Sequence, residues 1–217
     1  MSANKPDTLV YLVDDEFAVR DSLTLLIEST GQAVRSFASA EAFLNNYDPK
    51  KSGCLLLDVR MPSMNGLELQ DELLRREISI PIIFISGHAG IPESAKAFRA
   101  GAVDFLEKPF DNALLLERIE EAIKKDIANR EQRIEQRKIQ NRLDHLTVRE
   151  QKVLSLIVRG LSNKEMAKIM YISNRTIEAH RASIMEKMQA KGLAELMVMV
   201  THFDRLNGTL NGALNGS

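Results

Sequence analysis

A single cysteine, Cys54, among 217 residues leaves the chain without a disulfide framework or a cysteine-built zinc site. The thiol lies inside an apolar run, where it fills space as a small hydrophobe, so redox chemistry is not expected. Long apolar runs are absent as well: none approaches the ~20 residues a membrane span needs. The opening Met-Ser-Ala-Asn-Lys-Pro-Asp lacks the apolar core of a signal peptide. A cytoplasmic protein with no membrane partner is the expectation. Strong net charge is missing too, at −1 overall, but that balance conceals two unlike parts. Residues 1–120 hold 12 Lys and Arg against 19 Asp and Glu, and the remainder holds 17 against 11. The resulting −7 and +6 are compatible with a nucleic-acid-binding part joined to something acidic. The length allows two modest domains, each with its own core.

Apolar runs alternate with helical patterns through the first half. Thr8 to Val13 reads as a buried strand ending in Asp14, Asp15 and Glu16, and Val19, Leu23, Leu26 and Ile27 line a helix closing near Gly31. Strands follow at Ala33 to Phe37, Cys54 to Asp58, Ile80 to Ile85 and Val103 to Leu106. Helices over Ala40 to Tyr47, Leu67 to Arg76 and Glu93 to Ala100 separate them. This alternation predicts an α/β domain: a doubly wound, five-stranded parallel sheet of flavodoxin-like type with crossover helices on both faces.

The polar chemistry gathers at the strand ends, which is where ligands meet an open parallel sheet. Asp14 and Asp15 close the first strand, Asp58 the third and Ser86 the fourth, and Lys108 follows the fifth. Any one of them alone reads equally well as a turn cap or a surface ion pair. Together they form a constellation. Crowded carboxylates need a cation, and all-oxygen ligands with retained waters suit Mg2+. Lys108 and the Ser86 hydroxyl can then neutralise and hydrogen-bond a phosphoryl group carried by Asp58. An aspartate with metal and lysine also serves a Mg-dependent phosphohydrolase, but Arg60 stands two residues beyond Asp58, where such an enzyme has a second acid.

Four segments resemble the receiver domain of two-component response regulators, over residues 8 to about 122. They are Asp14-Asp15, Asp58-Val-Arg-Met-Pro-Ser-Met-Asn-Gly, Ser86-Gly-His-Ala and Phe105-Leu-Glu-Lys-Pro-Phe. Gly-Ala-Val-Asp-Phe-Leu-Glu-Lys-Pro-Phe is similar to FixJ-type regulators in particular. The resemblance implies that Asp58 accepts phosphate from a sensor histidine kinase. It also implies that Asp14 or Asp15, with Asp58 and the backbone carbonyl of Arg60, holds Mg2+, and that Ser86, Lys108 and Phe105 form the switch.

From Asn112 onward Leu116, Ile119, Ile123, Ile127 and Ile134 keep near-helical spacing, while the sequence beyond Lys124 turns mostly charged. An exposed helical linker over residues 123–142 is expected. A dimeric coiled coil is the alternative, although its seam fails around Arg130 and Arg137. Thr147 and Glu150, then Ser162 and Glu165, stand at capping-box spacing. Each opens a helix; a third runs from Ser173 through Ile177, Ile184 and Met188, and a fourth from Leu193 to Phe203. This predicts an all-α, four-helix helix-turn-helix domain over residues 143–205. The charges around the third helix read either as a solvated face or as a nucleic-acid surface.

Leu-Thr-Val-Arg-Glu, Gly-Leu-Ser-Asn-Lys-Glu-Met-Ala and Ser-Asn-Arg-Thr-Ile-Glu-Ala-His-Arg are similar to the LuxR/FixJ-type DNA-binding domain. The resemblance implies that the helix from Ser173 to Gln189 enters the major groove with Glu178, Ala179 and Ala182 toward the bases. Lys164, Arg175, Thr176, Arg181 and Lys187 then face phosphates. The two resemblances together imply a response regulator: receiver over 1–122, linker over 123–142, DNA-binding domain over 143–205. Phosphorylation is expected to drive homodimerisation, binding to double-stranded promoter DNA, and activation of transcription with RNA polymerase as a partner. A constitutive DNA binder with an inactive receiver is the remaining alternative, opposed by the intact Asp58, Lys108 and Ser86. The Leu-Asn-Gly repeats of residues 206–217 read as a mobile tail.

Overall fold

The computed structural model describes residues 8–87 and 91–207. Backbone contacts divide the chain into two compact units, residues 1–131 and 132–217.

The first unit contains β1 (Thr8–Val13), α1 (Phe17–Glu28), β2 (Ala33–Phe37), α2 (Ala40–Asn46), β3 (Ser52–Asp58), α3 (Gly66–Arg75), β4 (Ile82–Ser86), α4 (Ile91–Arg99), β5 (Asp104–Glu107) and the start of α5 (Asn112–Asp144). All four strand pairings are parallel, in the order β2-β1-β3-β4-β5. The period-2 alternation of a strand divides each apolar run between two cores. Tyr11, Val13, Leu55, Leu57 and Phe84 enter one, while Val10, Leu12, Cys54, Leu56 and Ile83 enter the other. Helices on both faces cover these cores, as the sequence predicts. The chain leaves β1 for β2 on one side and then crosses to β3 on the other, so the crevice between the ends of β1 and β3 is the topological switch point. Asp14 and Asp58 stand at that crevice.

α5 is one continuous helix of 33 residues. The stretch expected as an exposed linker is built into the two cores at its ends. Ile123 and Ile127 join the second core of the first unit, and Ile139, with Leu143 just beyond, joins the core of the second unit. Asp126 is also buried: its Oδ2 accepts from the backbone N of Gly53 at 2.9 Å and from Arg130 Nε at 2.6 Å. A helix reads as exposed in sequence when its buried side chains are as sparse as these.

The second unit holds the end of α5 with α6 (Val148–Val158), α7 (Asn163–Met170), α8 (Asn174–Met188) and α9 (Leu193–Asn207). Both expected capping boxes form, at Thr147 with Glu150 and at Ser162 with Glu165. Ser173 caps α8 by accepting from the backbone N of Thr176 at 3.1 Å. Val153, Leu154, Met166, Ile177, Ile184, Leu196 and Phe203 share one core. α9 continues to Asn207, so helix extends past the expected start of the tail at 206 as far as the residue before Gly208. The rest of that tail lies outside the described residues, as does His88 of the Ser86 motif. Among the described residues no helix is long and apolar enough to cross a membrane.

Candidate functional site

Asp58 ends β3 and is only 7% exposed, and Asp14, just past β1, is fully buried. Two carboxylates in one crevice repel each other unless a cation joins them. Lys108 supplies it: its Nζ donates to Asp14 Oδ2 at 2.8 Å and to Asp58 Oδ1 at 3.0 Å. The remaining oxygens accept from backbone, Asp14 Oδ1 from Glu16 N at 2.9 Å and Asp58 Oδ2 from Arg60 N at 2.6 Å. Burial pushes the Asp58 carboxyl above the ordinary carboxylate value, against the opposing pull of Lys108. Burial is also the largest influence on Lys108 and works against its charge, but the hydrogen bonds and charges of Asp14 and Asp58 together hold its ammonium above the ordinary lysine value.

The loop after β3 is drawn tightly under the site. Gly66 N donates to Val59 O at 3.0 Å, and a Cβ on Gly66 would lie 2.3 Å from the Asp58 carbonyl oxygen, so only glycine lets α3 start there. On the other side, Lys108 N donates to Ser86 O at 2.7 Å and joins the ends of β4 and β5. Ser86 itself is 1% exposed. Phe105 is half-buried on β5 and stacks on Phe84, with ring centroids 5.9 Å apart.

Asp14, Asp58, Ser86 and Lys108 are therefore brought together as the sequence predicts. The expected cluster of three carboxylates is not: Asp15 is exposed, and among the described residues no three His, Cys, Asp or Glu side chains converge on a common point. The oxygens of Asp14 and Asp58 with the Arg60 carbonyl are nonetheless a hard donor set. Mg2+, which keeps several waters and takes one or two carboxylates, suits such a set. The Arg60 side chain is exposed, 4.0 Å from Glu93.

In the second unit, burial sorts the candidate residues of α8. Ile177, Ile184 and Met188 are buried, while Arg175, Glu178, Ala179 and Ala182 form an exposed stripe at helical spacing. Lys164 on α7 is exposed, and Thr176 is half-buried, its Oγ1 2.8 Å from Ser173 Oγ. Arg181 is half-buried, with one nitrogen donating to Asn163 Oδ1 at 3.2 Å. Lys187 departs from expectation. Its Nζ donates to Glu150 Oε2 at 2.7 Å, while Ser183 Oγ donates to Glu150 Oε1 at 2.6 Å and Thr147 N to Oε2 at 2.7 Å. These bonds, with that to Lys187 first, hold the Glu150 carboxyl down to about 2. Lys187 thus neutralises a buried acid, and its charge is committed within the unit.

Strand-end acids bridged by a lysine at a doubly wound switch point, followed by a helix-turn-helix unit, define a class: a receiver joined to a DNA-binding domain. Comparison with known proteins agrees. A family described as "Response regulator receiver domain" matches residues 10–120, and one described as "Bacterial regulatory proteins, luxR family" matches residues 144–200. The transcriptional regulatory protein FixJ of Rhizobium meliloti (strain 1021) is 44% identical over 193 residues, covering 89% of this chain and 95% of that protein. The response regulator protein TmoT of Ectopseudomonas mendocina is 42% identical, covering 95% and 93%. Among solved structures, the response regulator StyR superposes with a TM-score of 0.82 at 40% identity, covering 90% of this chain and 99% of that one. Full-length FixJ from B. japonicum gives 0.56 at 38% identity, covering 94% and 100%. The chain belongs to the two-component response regulators, with a receiver and a LuxR-type DNA-binding domain, and is a regulator of transcription.

Sequence reasoning missed the close approach that Gly66 permits, the bonds of Glu150 to α8 and the Asp126–Arg130 pair. The capping-box spacing was the one available signal for Glu150, and it spoke only to the local contact with Thr147.

Proposed function

We propose that Asp58 is the phosphoacceptor for a sensor histidine kinase. Its phosphorylation then drives homodimerisation and binding of promoter DNA, and so activates transcription in the cytoplasm with RNA polymerase as a partner. The observation that carries this reading is Lys108 Nζ set between Asp14 and Asp58 at 2.8 and 3.0 Å, a fixed charge already placed where a phosphoryl group would develop its own. The donor's phosphorus–nitrogen bond breaks as an Asp58 oxygen bonds to phosphorus, and the freed imidazole takes up a proton. Asp14, Asp58 and the Arg60 carbonyl are assigned to Mg2+, with Asp15 at the exposed rim; the ion, when bound, neutralises the phosphoryl oxygens. Asp58 then carries about two negative charges in place of one. Lys108 and the Ser86 hydroxyl are the groups within the site that can answer that charge, and Phe105, stacked on Phe84, is assigned to follow Ser86. We assign the receiver to residues 1–122, the connecting helix to 123–142 and DNA binding to 143–205. In that last part Glu178, Ala179 and Ala182 face bases, and Lys164, Arg175, Thr176 and Arg181 face phosphates.

Acetyl phosphate with Mg2+ is expected to modify one site, and Asp58→Asn to abolish the modification; labelling that survives the substitution refutes the assignment. Sedimentation at micromolar concentration with beryllofluoride and Mg2+ is expected to double the mass, and an unchanged mass refutes the dimerisation step.

A further inference from the structure

The turn between α7 and α8 carries an aromatic side chain that the fold does not use. Tyr171 takes the left-handed conformation, with φ 55° and ψ 42°, which costs any residue with a Cβ more than it costs glycine. Its ring gains nothing from the fold in return: it is 94% exposed, and among the described residues its side chain has no hydrogen-bond, ion-pair or ring partner. The backbone conformation itself is that of a helix C-cap, in which Tyr171 N and Ile172 N donate to Lys168 O and Ala167 O at 3.4 and 3.1 Å; the exposed, unpartnered ring has no such local use.

The surroundings identify the contact. Lys164 and Lys168 stand at i and i+4 on α7, Tyr171 is the cap residue that ends the helix three positions on, and all three are exposed. Neither lysine has a carboxylate within ion-pair distance among the described residues. The same turn leads within two residues to Ser173, the cap of α8, and so to Arg175 and Thr176. The face is basic, carries a phenolic donor and adjoins the helix assigned to the major groove. We infer that Lys164, Lys168 and Tyr171 form a clamp for the sugar-phosphate backbone of duplex DNA. In it the Tyr171 hydroxyl donates to a phosphate oxygen, its ring lies against the adjacent sugar, and Lys168 supplies a second charge. Lys168 and Tyr171 are the new members, and the inference rests on the reading that α8 binds DNA.

The test uses the full-length protein, activated with beryllofluoride and Mg2+, in fluorescence-anisotropy titrations against two duplexes. One is a sequence selected from a random pool by the wild-type protein, the other a fixed 30-base-pair duplex of unrelated sequence. Tyr171→Phe, which keeps the ring and the strain, is expected to weaken binding to both about threefold to tenfold. Tyr171→Gly relieves the strain and removes the contact; it is expected to bind at least as weakly while melting no lower than wild type. Lys168→Ala is expected to flatten the dependence of log affinity on log salt by about 0.9. If both Tyr171 variants bind as wild type while Arg175→Ala binds weakly, the clamp is overturned and the α8 reading stands. If Arg175→Ala and Glu178→Ala also bind as wild type, the α8 reading itself is overturned. Tyr171 variants that bind both duplexes normally but fail to activate transcription would assign the side chain to a protein partner and overturn the DNA clamp.

Discussion

Glu150→Gln removes one charge from the second unit while keeping nearly the same volume, and its cost follows from four bonds. The carboxylate accepts from Thr147 N at 2.7 Å, Thr147 Oγ1 at 2.9 Å, Ser183 Oγ at 2.6 Å and Lys187 Nζ at 2.7 Å. A glutamine amide keeps one acceptor oxygen and turns an NH2 group toward donors, and Lys187 is left without its counter-charge. Depression of the carboxyl from an ordinary 4.5 to about 2 is worth ~3 kcal/mol at 1.36 kcal/mol per unit. Lys187 is about one-third exposed, so solvent screening reduces the expected loss to about 2 kcal/mol. The folded-state value is depressed, so this stability is fully present above about 4.5 and is lost as pH falls through about 2. Urea unfolding of the full chain, followed by hydrogen exchange at α6 and α8 amides, isolates the second unit. At pH 7 the variant should unfold at lower urea than wild type, and the gap should close as the pH is lowered from 4.5 toward 2. Equal stability at pH 7, or a gap that persists at the acid end, would refute the reasoning.

Gly66→Ala forces a Cβ to 2.3 Å from the Asp58 carbonyl; labelling by acetyl phosphate should fall at least tenfold (an order-of-magnitude expectation), with about 2 kcal/mol lost from the first unit in urea melts. Asp126→Ala removes the counter-charge of Arg130, which keeps its bonds to Pro49 O and Tyr47 Oη, and the acceptor of the Gly53 N–H, and should cost about 3 kcal/mol by the same melts. Glu178→Ala should relax preference at one base pair by about 1–3 kcal/mol in a binding selection, whereas Lys164→Ala should weaken all duplexes alike and flatten the salt dependence. Lys187→Ala should lower the melting temperature while leaving the salt dependence of DNA binding as it was.

The strand-end site was legible because parallel-strand logic is linear: an apolar run that ends in a polar residue names both the strand and the place where its chemistry emerges. Asp14, Asp58 and Ser86 are found in this way, and Lys108 stands two residues past the fifth run. Gly66 is not found so, because its necessity depends on how closely α3 approaches the Asp58 carbonyl, a distance between two elements. Lys187 shows the same limit in the second unit. As a charged residue on a basic helix it is indistinguishable from Arg175, and the acid that claims it, Glu150, is 37 residues away. Strand alternation and capping spacing are local signals and survive translation into structure; which of several surface charges is already paired is not.

That limit also governs α5. Between Ile127 and Ile139 none of its residues is buried, and Ile134 is 54% exposed, so no apolar seam of its own holds this stretch helical. Side-chain pairs such as Lys138 with Glu135, at 3.4 Å, contribute ~0.2–0.5 kcal/mol each, and a segment this short is marginal as an isolated helix. Its order must be propagated from its ends: from Asp126, held by Gly53 N and Arg130, and from Ile139 and Leu143 in the second core. Propagation costs less than nucleation, so two fixed ends suffice. The covalent path from Asp58 to α8 therefore passes through a stretch whose helicity reports how firmly each unit grips its own end. Amide exchange should be fastest at residues 131–137 and faster still there in Asp126→Ala, without a matching change in α8; slow, uniform exchange across α5 in both proteins would mean that the helix holds itself.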